Sequence, residues 1–365
     1  MSLDIGIIGL PNVGKSTLFN ALTRAGAAVA AYPFTTIEPN VGVVPVPDER
    51  LEQLRPIVQP EKVVPTTLRV VDIAGLVKGA SHGEGLGNQF LGHIRTVDAV
   101  AMVVRGFADP DVPHVTPELD PRGDIETVDL ELILADLTAL ERREEKVRSQ
   151  AKGAKGAYDT ELAALAAIRA RLEGGQGALA GAPPEGERAL ARELGLLTAK
   201  PRLYVVNAGE SDRPTGGEYA EAVREAAAGE GAEVVVLSAA LEAALADWSP
   251  EEAAAYRAEL GLDEPGLVAF IEAGYRLLRL ISFFTITGGK ELRAWTLRRG
   301  ATALDAAAAI HSDMARGFIR AEVMAAADLI RTGSTEAVRD EGRLRVEGRE
   351  YVVQDGDILH IRFNV

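Results

Sequence analysis

Near the amino terminus, the period of the apolar positions changes from that of a strand to that of a helix. Residues 3–8 form an isoleucine-rich run that predicts a β-strand, whereas Leu18, Phe19 and Leu22 recur at the spacing of one helical face. The residues between these elements, 9–16, are rich in glycine and polar side chains. We therefore predict a strand, a loop and a helix, in that order.

A second pattern lies between predicted strands at 99–104 and 203–206. Apolar residues there recur at helical spacing in two groups, which predicts an antiparallel helical hairpin with its turn at 153–156. The two groups are Leu130, Ile133, Leu137, Leu140 and Val147, then Leu162, Leu165, Ile168 and Leu172. A third predicted helix, 187–197, returns the chain to the next strand. The hairpin therefore interrupts one domain rather than following it.

After residue 280, short predicted strands replace the alanine-rich helices. These strands span 281–287, 292–297, 318–324, 351–354 and 358–363. Asp355-Gly356-Asp357 predicts a hairpin turn between the last two strands. Thr302 and Asp305 predict a capping box that opens a helix. This order of elements favours a small β-grasp domain.

Composition excludes several classes of protein. The formal net charge of −15 argues against general sheathing of nucleic acid, although it allows a local basic patch. The absence of cysteine excludes disulfides and thiolate metal sites, and zinc would depend on five scattered histidines. The amino terminus lacks the features of a signal peptide, and no apolar run approaches ~18 residues. We expect a cytoplasmic protein without membrane attachment.

Residues 9–16, GLPNVGKS, match the phosphate-loop pattern G-x-x-x-x-G-K-[ST]. In this pattern the glycines let backbone N–H groups surround a phosphate, Lys15 supplies positive charge to the outer phosphates, and the Ser16 hydroxyl can bind Mg²⁺. The glycine spacing differs from that of dinucleotide-binding dehydrogenases. The residues expected to contact a nucleotide here are Asn12, Val13, Gly14, Lys15, Ser16 and Thr17.

A second element of the expected site follows the predicted strand 68–71, which ends in Asp72-Ile73-Ala74-Gly75. In phosphate-loop proteins, a carboxylate at this position holds the metal through water, and the glycine amide bonds the γ-phosphate. By itself this tetrapeptide would more often be a turn. Because it lies downstream of a phosphate loop, we expect Asp72 to contact the metal. We expect Gly75 and Lys15 to take part in hydrolysis.

Three segments together resemble the Obg branch of the translation-factor GTPases. They are GLPNVGKST, YPFTTIEPNVG at 32–42 and DIAGLVKGASHGEGLGNQFLGHIR at 72–95. The resemblance implies an α/β P-loop NTPase of the Ras-like G-domain type, with an inserted helical hairpin and a carboxyl-terminal β-grasp domain of the TGS type. It also implies that Thr36 is the switch threonine on Mg²⁺.

The resemblance and the patterns together divide the chain into a nucleotide-binding domain, an insertion and a carboxyl-terminal domain. A chain of 365 residues is long enough for two or three domains. The expected boundaries are 1–126 and 200–279 for the two parts of the nucleotide-binding domain, 127–199 for the helical insertion and 280–365 for the TGS-like domain.

The segment expected to read the base is Asn207-Ala208-Gly209-Glu210, where most related GTPases have Asn-Lys-x-Asp. The lysine is absent and the side chain that carries the carboxylate is longer by one methylene. This change displaces the carboxylate that would accept hydrogen bonds from guanine, so guanine is no longer favoured over adenine. This Asn-x-x-Glu pattern resembles the YchF-type ATPases, over essentially the whole chain. At 238–240, Ala240 replaces the lysine that is usual in the family. The resemblance implies nucleotide contacts from Asn207, Ala208, Glu210, Ser238 and Ala239.

The sequence offers several groups that could activate water or replace the usual catalytic residue. Leu76 stands where many related GTPases have a glutamine, so we expect slow intrinsic turnover. The resemblance favours His114, in the Pro- and Asp-rich loop 108–124, although a lone histidine is more often a surface or capping residue. Asn12 resembles an asparagine that binds K⁺ beside the phosphates, with a helix N-cap as the equal alternative. The other histidines considered are His82 and His93.

The resemblance implies a Mg²⁺-dependent, ribosome-associated ATPase that acts as a nucleotide-dependent switch, with the large subunit as its contact, and we expect a monomer. A basic cluster near the hairpin tip is more often a solvated face, but in an acidic protein it also suggests an RNA contact. The cluster comprises Arg142, Arg143, Lys146, Arg148, Lys152 and Lys155. The TGS-like domain is a second candidate for RNA or ribosome binding. Two alternatives stay open: an Obg-like GTPase, and an ATP-sensing module with incidental hydrolysis.

Overall fold

The computed structural model describes residues 3–24, 39–75, 86–114, 118–151, 156, 158–209, 212, 215–262, 264–288 and 290–364, with the backbone alone for residues 86–89. The chain divides into two compact units. The small unit comprises Met1–Leu3, Val43–Arg69 and Ile271–Val365, and the large unit comprises Asp4–Gly42 and Val70–Phe270.

Within the described residues, the strands are β1 Asp4–Ile8, β2 Asn40–Pro45, β3 Lys62–Val64, β4 Thr67–Asp72, β5 Ala99–Gly106, β6 Arg202–Ala208, β7 Glu233–Leu237, β8 Leu280–Thr287, β9 Glu291–Arg298, β10 Phe318–Ala325, β11 Arg345–Glu347 and β12 Asp357–Phe363. The helices are α1 Lys15–Arg24, α2 Glu49–Val58, α3 Leu86–Thr96, α4 Pro121–Ala151, α5 Asp159–Glu173, α6 Glu185–Glu193, α7 Gly217–Glu230, α8 Ala239–Leu245, α9 Pro250–Glu259, α10 Gly266–Leu277, α11 Ala303–Ile310, α12 Ser312–Arg316, α13 Ala326–Thr332 and α14 Thr335–Asp340. Over the same residues, no helix combines the length and the apolar character that crossing a bilayer requires.

One sheet has the strand order β2-β4-β1-β5-β6-β7, in which β1, β5, β6 and β7 run parallel. Strand β5 is buried along its whole length, and α4 and α7 pack against it. Parallel strands end along one edge of a sheet, and ligands bind in the crevice outside that edge. The loops that follow Ile8, Gly106, Ala208 and Leu237 therefore meet at one edge. This arrangement confirms the predicted α/β fold.

Helices α4, α5 and α6 form the insertion and share an apolar core. Its buried members include Ile133, Leu140, Val147, Leu165, Ile168 and Leu172. The predicted helical pattern is wrong at Leu130, which is 51% exposed. Helix α4 packs on β5 and α7, and its buried face there consists of Ile125, Val128 and Leu132 rather than Leu130. The third helix of the insertion also differs from the predicted 187–197. It begins two residues earlier, at Glu185, and ends at Glu193.

The small unit contains a sheet of order β11-β10-β12-β8-β9-β3. Strands β8 and β9 form an antiparallel hairpin, and β12 runs parallel to β8 and antiparallel to β10. Helix α11 lies between β9 and β10 in the chain and begins at the predicted capping box of Thr302 and Asp305. This topology is that of a β-grasp.

The predicted hairpin at Asp355-Gly356-Asp357 is wrong. Residues 351–354 contribute an isolated bridge between Thr302 and Val352, whereas both sides of β12 are occupied by β10 and β8. Hydrogen bonds to aspartate side chains, rather than the backbone hydrogen bonds of a strand pair, hold this turn. Asp357 accepts hydrogen bonds from the Gln354 amide at 2.9 Å and the Tyr351 hydroxyl at 2.8 Å, and Asp355 accepts from the Ser282 amide at 2.8 Å.

Residues 43–69 also depart from the predicted division of the chain. The predicted domain 1–126 includes them, whereas in the structure they lie in the small unit. Strand β3 pairs in parallel with β9, and α2 buries Leu51 and Leu54 in the core of this unit. These partners are far along the chain, so no local pattern in 43–69 could indicate them.

Candidate nucleotide-binding site

The backbone of the phosphate loop needs glycine at two positions. Gly9 and Gly14 have φ values of +145° and +97°, a region that other residues rarely adopt. A side chain at Gly9 would overlap the Val103 carbonyl oxygen, and one at Gly14 would overlap the Asn207 amide. Helix α1 begins directly after this loop, at Lys15, so its N-terminal N–H groups face the position where phosphates bind in such loops.

Lys15 is buried, and its Nζ donates a hydrogen bond to the Leu10 carbonyl oxygen at 2.7 Å. Burial lowers the pKa of Lys15 to about 8, while the Asp72 carboxylate acts in the opposite direction. A side chain at Gly75 would lie 3.0 Å from Lys15 Nζ. The structure therefore brings Asp72 and Gly75, predicted from a separate segment, up to the phosphate loop.

The residues predicted on the metal side also meet. Ser16 Oγ donates a hydrogen bond to Asp72 Oδ2 at 3.1 Å, and among the described residues Asp72 Oδ1 is buried without a hydrogen-bond partner. Burial raises the pKa of Asp72, and both Ser16 and Lys15 oppose that rise. A hydroxyl beside a carboxylate with an unused oxygen suits Mg²⁺, which takes few protein ligands and the rest from phosphates and water. Thr36 lies outside the described residues.

Asn207 joins the phosphate loop to the segment after β7. Its Nδ2 donates to the Val13 carbonyl oxygen, and its Oδ1 accepts from the Ala239 amide, both at 2.9 Å. Asn207 is 6% exposed, so both hydrogen bonds lie inside the protein. Ser238 caps α8 by accepting from the Leu241 amide. Ala208 is buried at the end of β6, and Glu210 lies outside the described residues.

The loop after β5 also contacts the phosphate loop. Asn12, whose φ is +62°, donates from Nδ2 to the Pro113 carbonyl oxygen at 3.0 Å. The next residue is His114, whose side chain is 6% exposed, and its Nε2 lies 3.1 Å from Asp124 Oδ2 on α4. His114 therefore packs against the insertion rather than standing in an open loop. His93 lies in α3, whereas Leu76 and His82 fall outside the described residues.

Sequence reasoning missed Arg105 and Asp124. Arg105 is 2% exposed at the carboxyl end of β5, where its Nε and Nη2 donate to the carbonyl oxygens of Phe107 at 3.1 Å and Asp109 at 3.3 Å. A charged residue at the end of an otherwise apolar strand was the available signal for Arg105. Asp124 offered none, because an acidic residue near a helix start is common.

The parallel sheet, the glycine-dependent loop and the paired Ser16 and Asp72 define a P-loop NTPase with a Ras-like G domain. Two family models match the chain: one described as 50S ribosome-binding GTPase at residues 4–139, and one named YchF-GTPase_C, described as a protein of unknown function, at residues 280–364. Among curated proteins, the ribosome-binding ATPase YchF of Bacillus subtilis is 50% identical, and that of Escherichia coli O157:H7 is 48% identical, with all of each chain covered. The chain belongs to the YchF family.

A solved structure supports this membership. The Schizosaccharomyces pombe YchF GTPase superimposes with a TM-score of 0.86 at 37% identity, covering 99% of this chain and 98% of that one. The similarity therefore extends over both units and the insertion, which confirms the resemblance found in the sequence.

Proposed function

We propose that this protein binds and hydrolyses ATP in preference to GTP and acts as a nucleotide-dependent switch on the ribosome. The observation that carries the proposal is the contact that Asn207 makes with both Val13 and Ala239, because it sets the first residue of Asn-x-x-Glu directly beside the phosphate loop. The bacterial relatives are named ribosome-binding ATPases, and the fission-yeast relative is named a GTPase. Base preference is thus the property to test first.

Competition binding tests the base preference. Unlabelled ATP should displace a fluorescent ATP analogue at a lower concentration than GTP does, because a displaced carboxylate loses the paired hydrogen bonds that reward guanine. Glu210→Asp, which restores the shorter carboxylate, should narrow the difference between ATP and GTP. Equal or tighter displacement by GTP from the unmodified protein would make the Obg-like GTPase the better description.

Hydrolysis is proposed to be slow and Mg²⁺-dependent. Ser16, Thr36 and Asp72 would hold Mg²⁺, which would supply positive charge to the phosphates, and Lys15 with the Gly75 amide would contact the outer phosphates. Leu76 cannot orient water, so His114 is the proposed catalytic group. Asn12 would hold K⁺ as a second cation, which would supply positive charge beside the phosphates. We expect Leu76→Gln to retain ATP binding and Lys15→Ala to lose it, both measured by equilibrium titration.

The ribosome contact is proposed to lie mainly on the small unit, with the large subunit as its partner. In the hairpin, Arg143 forms ion pairs with Glu161 at 2.6 Å and Glu193 at 3.2 Å, and Arg148 pairs with Glu144 at 3.5 Å. These pairs reduce the positive charge available to RNA. Lys152 and Lys155 lie outside the described residues. On the small unit, Arg320 and His360 are exposed, and the neighbouring Arg362 forms an ion pair with Glu322 at 3.2 Å.

Co-sedimentation with ribosomes and with isolated large subunits tests this contact. Arg320→Glu should reduce pelleting in the presence of a non-hydrolysable ATP analogue more than Arg143→Glu does. A greater loss with Arg143→Glu would move the contact to the hairpin.

A second candidate function is an ATP-sensing module in which occupancy alone is the signal, which Leu76 favours. Single-turnover hydrolysis with and without ribosomes separates the two candidates. The switch ATPase requires acceleration by its partner, whereas the sensing module does not.

A further inference from the structure

The loop between β5 and α4 is held at its start by a buried arginine and farther along by a hydrogen bond from the phosphate loop. At its start, Arg105 stacks over Phe107, with the guanidinium carbon 4.4 Å from the ring centroid, and donates to two backbone carbonyls of the loop. Farther along, the Pro113 carbonyl accepts from Asn12 of the phosphate loop. These contacts link the conformation of this loop to that of the phosphate loop.

The contact between His114 and Asp124 is also shielded from solvent. The His114 side chain is 6% exposed and that of Asp124 is 7% exposed, and Nε2 lies 3.1 Å from Oδ2. Burial raises the pKa of Asp124, and the His114 contact and the charge of Arg105 act against that rise. A hydrogen bond to a buried carboxylate is among the stronger ones in proteins, because water cannot readily replace a donor that is lost there.

A histidine that assists hydrolysis must present a ring nitrogen to water beside the γ-phosphate. In this structure Nε2 faces Asp124 and the ring is almost entirely buried, so the ring must move before Nε2 can meet that water. Asp124 lies in the first turn of α4, a helix of 31 residues that continues into the helical insertion. The carboxylate that contacts His114 therefore belongs to a rigid element that extends away from the nucleotide site.

We infer that Asp124 is a positioning residue that holds His114 in a resting position and thereby restrains ATP hydrolysis until the insertion or the bound nucleotide releases the ring. The inference rests on the catalytic role proposed for His114. Release would couple a change at α4 to hydrolysis, because the same helix carries Asp124 and the outer part of the insertion. Arg105 supports the resting state by fixing the start of the loop.

Two measurements on the full chain test the inference. The first is steady-state turnover of saturating Mg-ATP for Asp124→Ala, His114→Ala and the double variant. Asp124→Ala should raise turnover about tenfold, corresponding to the loss of one charge-assisted hydrogen bond. In the His114→Ala background, the same substitution should have no effect. A purely structural role for Asp124 would lower turnover in both backgrounds.

The second measurement is carbethoxylation of His114 by diethyl pyrocarbonate, read by mass spectrometry. The exposed histidines His311 and His360 serve as internal references. His114 should react several-fold faster in Asp124→Ala than in the unmodified protein. Asp124→Asn keeps the shape of the side chain and loses its charge, so His114 should react at a rate between those of the unmodified protein and Asp124→Ala. This variant keeps the test valid if Asp124→Ala misfolds. Asp120→Asn, at a nearby exposed carboxylate, should match the unmodified protein.

The outcomes distinguish this inference from the proposed function. If His114→Ala hydrolyses ATP at the unmodified rate, the catalytic assignment of His114 fails. If His114→Ala is slow but Asp124→Ala leaves the carbethoxylation rate unchanged, or slows turnover as much as His114→Ala does, the resting position is overturned and only the catalytic assignment stands.

Discussion

The phosphate loop and residues 43–69 are close in sequence but acquire their structures in different ways. In the loop, the required φ values and the close approach of neighbouring backbone restrict two positions to glycine. In 43–69, the decisive contacts come from β9 and from the core of the small unit. Chemistry that demands certain residues at fixed spacing can be recognised locally, whereas packing against a distant segment cannot.

The contrast is clearest at two side chains of residues 43–69. Leu54 is fully buried among apolar residues of the small unit. Arg50 forms ion pairs with Asp48 at 2.8 Å and Asp355 at 3.0 Å, and its guanidinium carbon lies 5.1 Å from the centre of the Phe284 ring. If the contrast holds, changes in the phosphate loop should affect the nucleotide, and changes in 43–69 should affect the stability of the small unit.

The largest expected effect is that of Gly14→Ala. The added methyl would overlap the Asn207 amide at a positive φ, so we expect ATP affinity to fall at least about 100-fold. Isothermal titration measures this loss. Gly92→Ala is the matched control, because that exposed helical glycine has no other atom within 4 Å of the added methyl. Tight binding by Gly14→Ala would refute the claim that the loop requires glycine there.

Leu54→Ala should destabilise the small unit by about 2–5 kcal/mol, because it removes a fully buried side chain and leaves a cavity. Hydrogen exchange measured peptide by peptide reports the small unit separately from the large one. ATP affinity should remain near that of the unmodified protein. Leu130→Ala, at a half-exposed leucine, is the control and should have little effect. A large loss of affinity in Leu54→Ala would break the contrast.

Asn207→Ala should sharpen the contrast, because it removes a tertiary contact from the phosphate loop itself. The substitution leaves the Val13 carbonyl and the Ala239 amide without their partner, at a cost of about 1–3 kcal/mol in ATP binding or stability. Asn207→Asp can still accept from Ala239 but cannot donate to Val13. An intermediate affinity for Asn207→Asp in a titration would apportion the loss between the two bonds, whereas unchanged binding by both variants would show that the loop holds its shape alone.

Arg50→Met has the smallest expected effect, about 1 kcal/mol or less on the stability of the small unit, because the guanidinium is partly exposed and water screens its ion pairs. Arg50→Lys keeps the charge but loses the forked hydrogen bonds to Asp48 and Asp355, so it separates charge from geometry. Hydrogen exchange of peptides around Asp355, at low and high salt, measures both variants. A loss as large as that of Leu54→Ala would mean that this ion pair, rather than apolar burial, attaches 43–69.

Most elements of the fold were predictable from the sequence because apolar periodicity records which face of an element is buried. The failures are specific. Leu130 keeps the helical spacing of its neighbours but lies where α4 turns its buried face to β5. Residues 351–354 have a strand-like composition, but β12 already pairs on both sides, so no ladder position remains.

In the candidate site, the sequence by itself determined the residues whose chemistry depends on spacing along the chain: the glycines and Lys15 of the loop, and Asp72 at the end of its strand. Only the tertiary structure decided which side chains meet. It pairs Ser16 with Asp72, bridges Val13 and Ala239 through Asn207, and buries His114 against Asp124. The physical reason is that backbone conformation and motif chemistry are local properties, whereas hydrogen-bond partners and burial arise only when distant segments pack together.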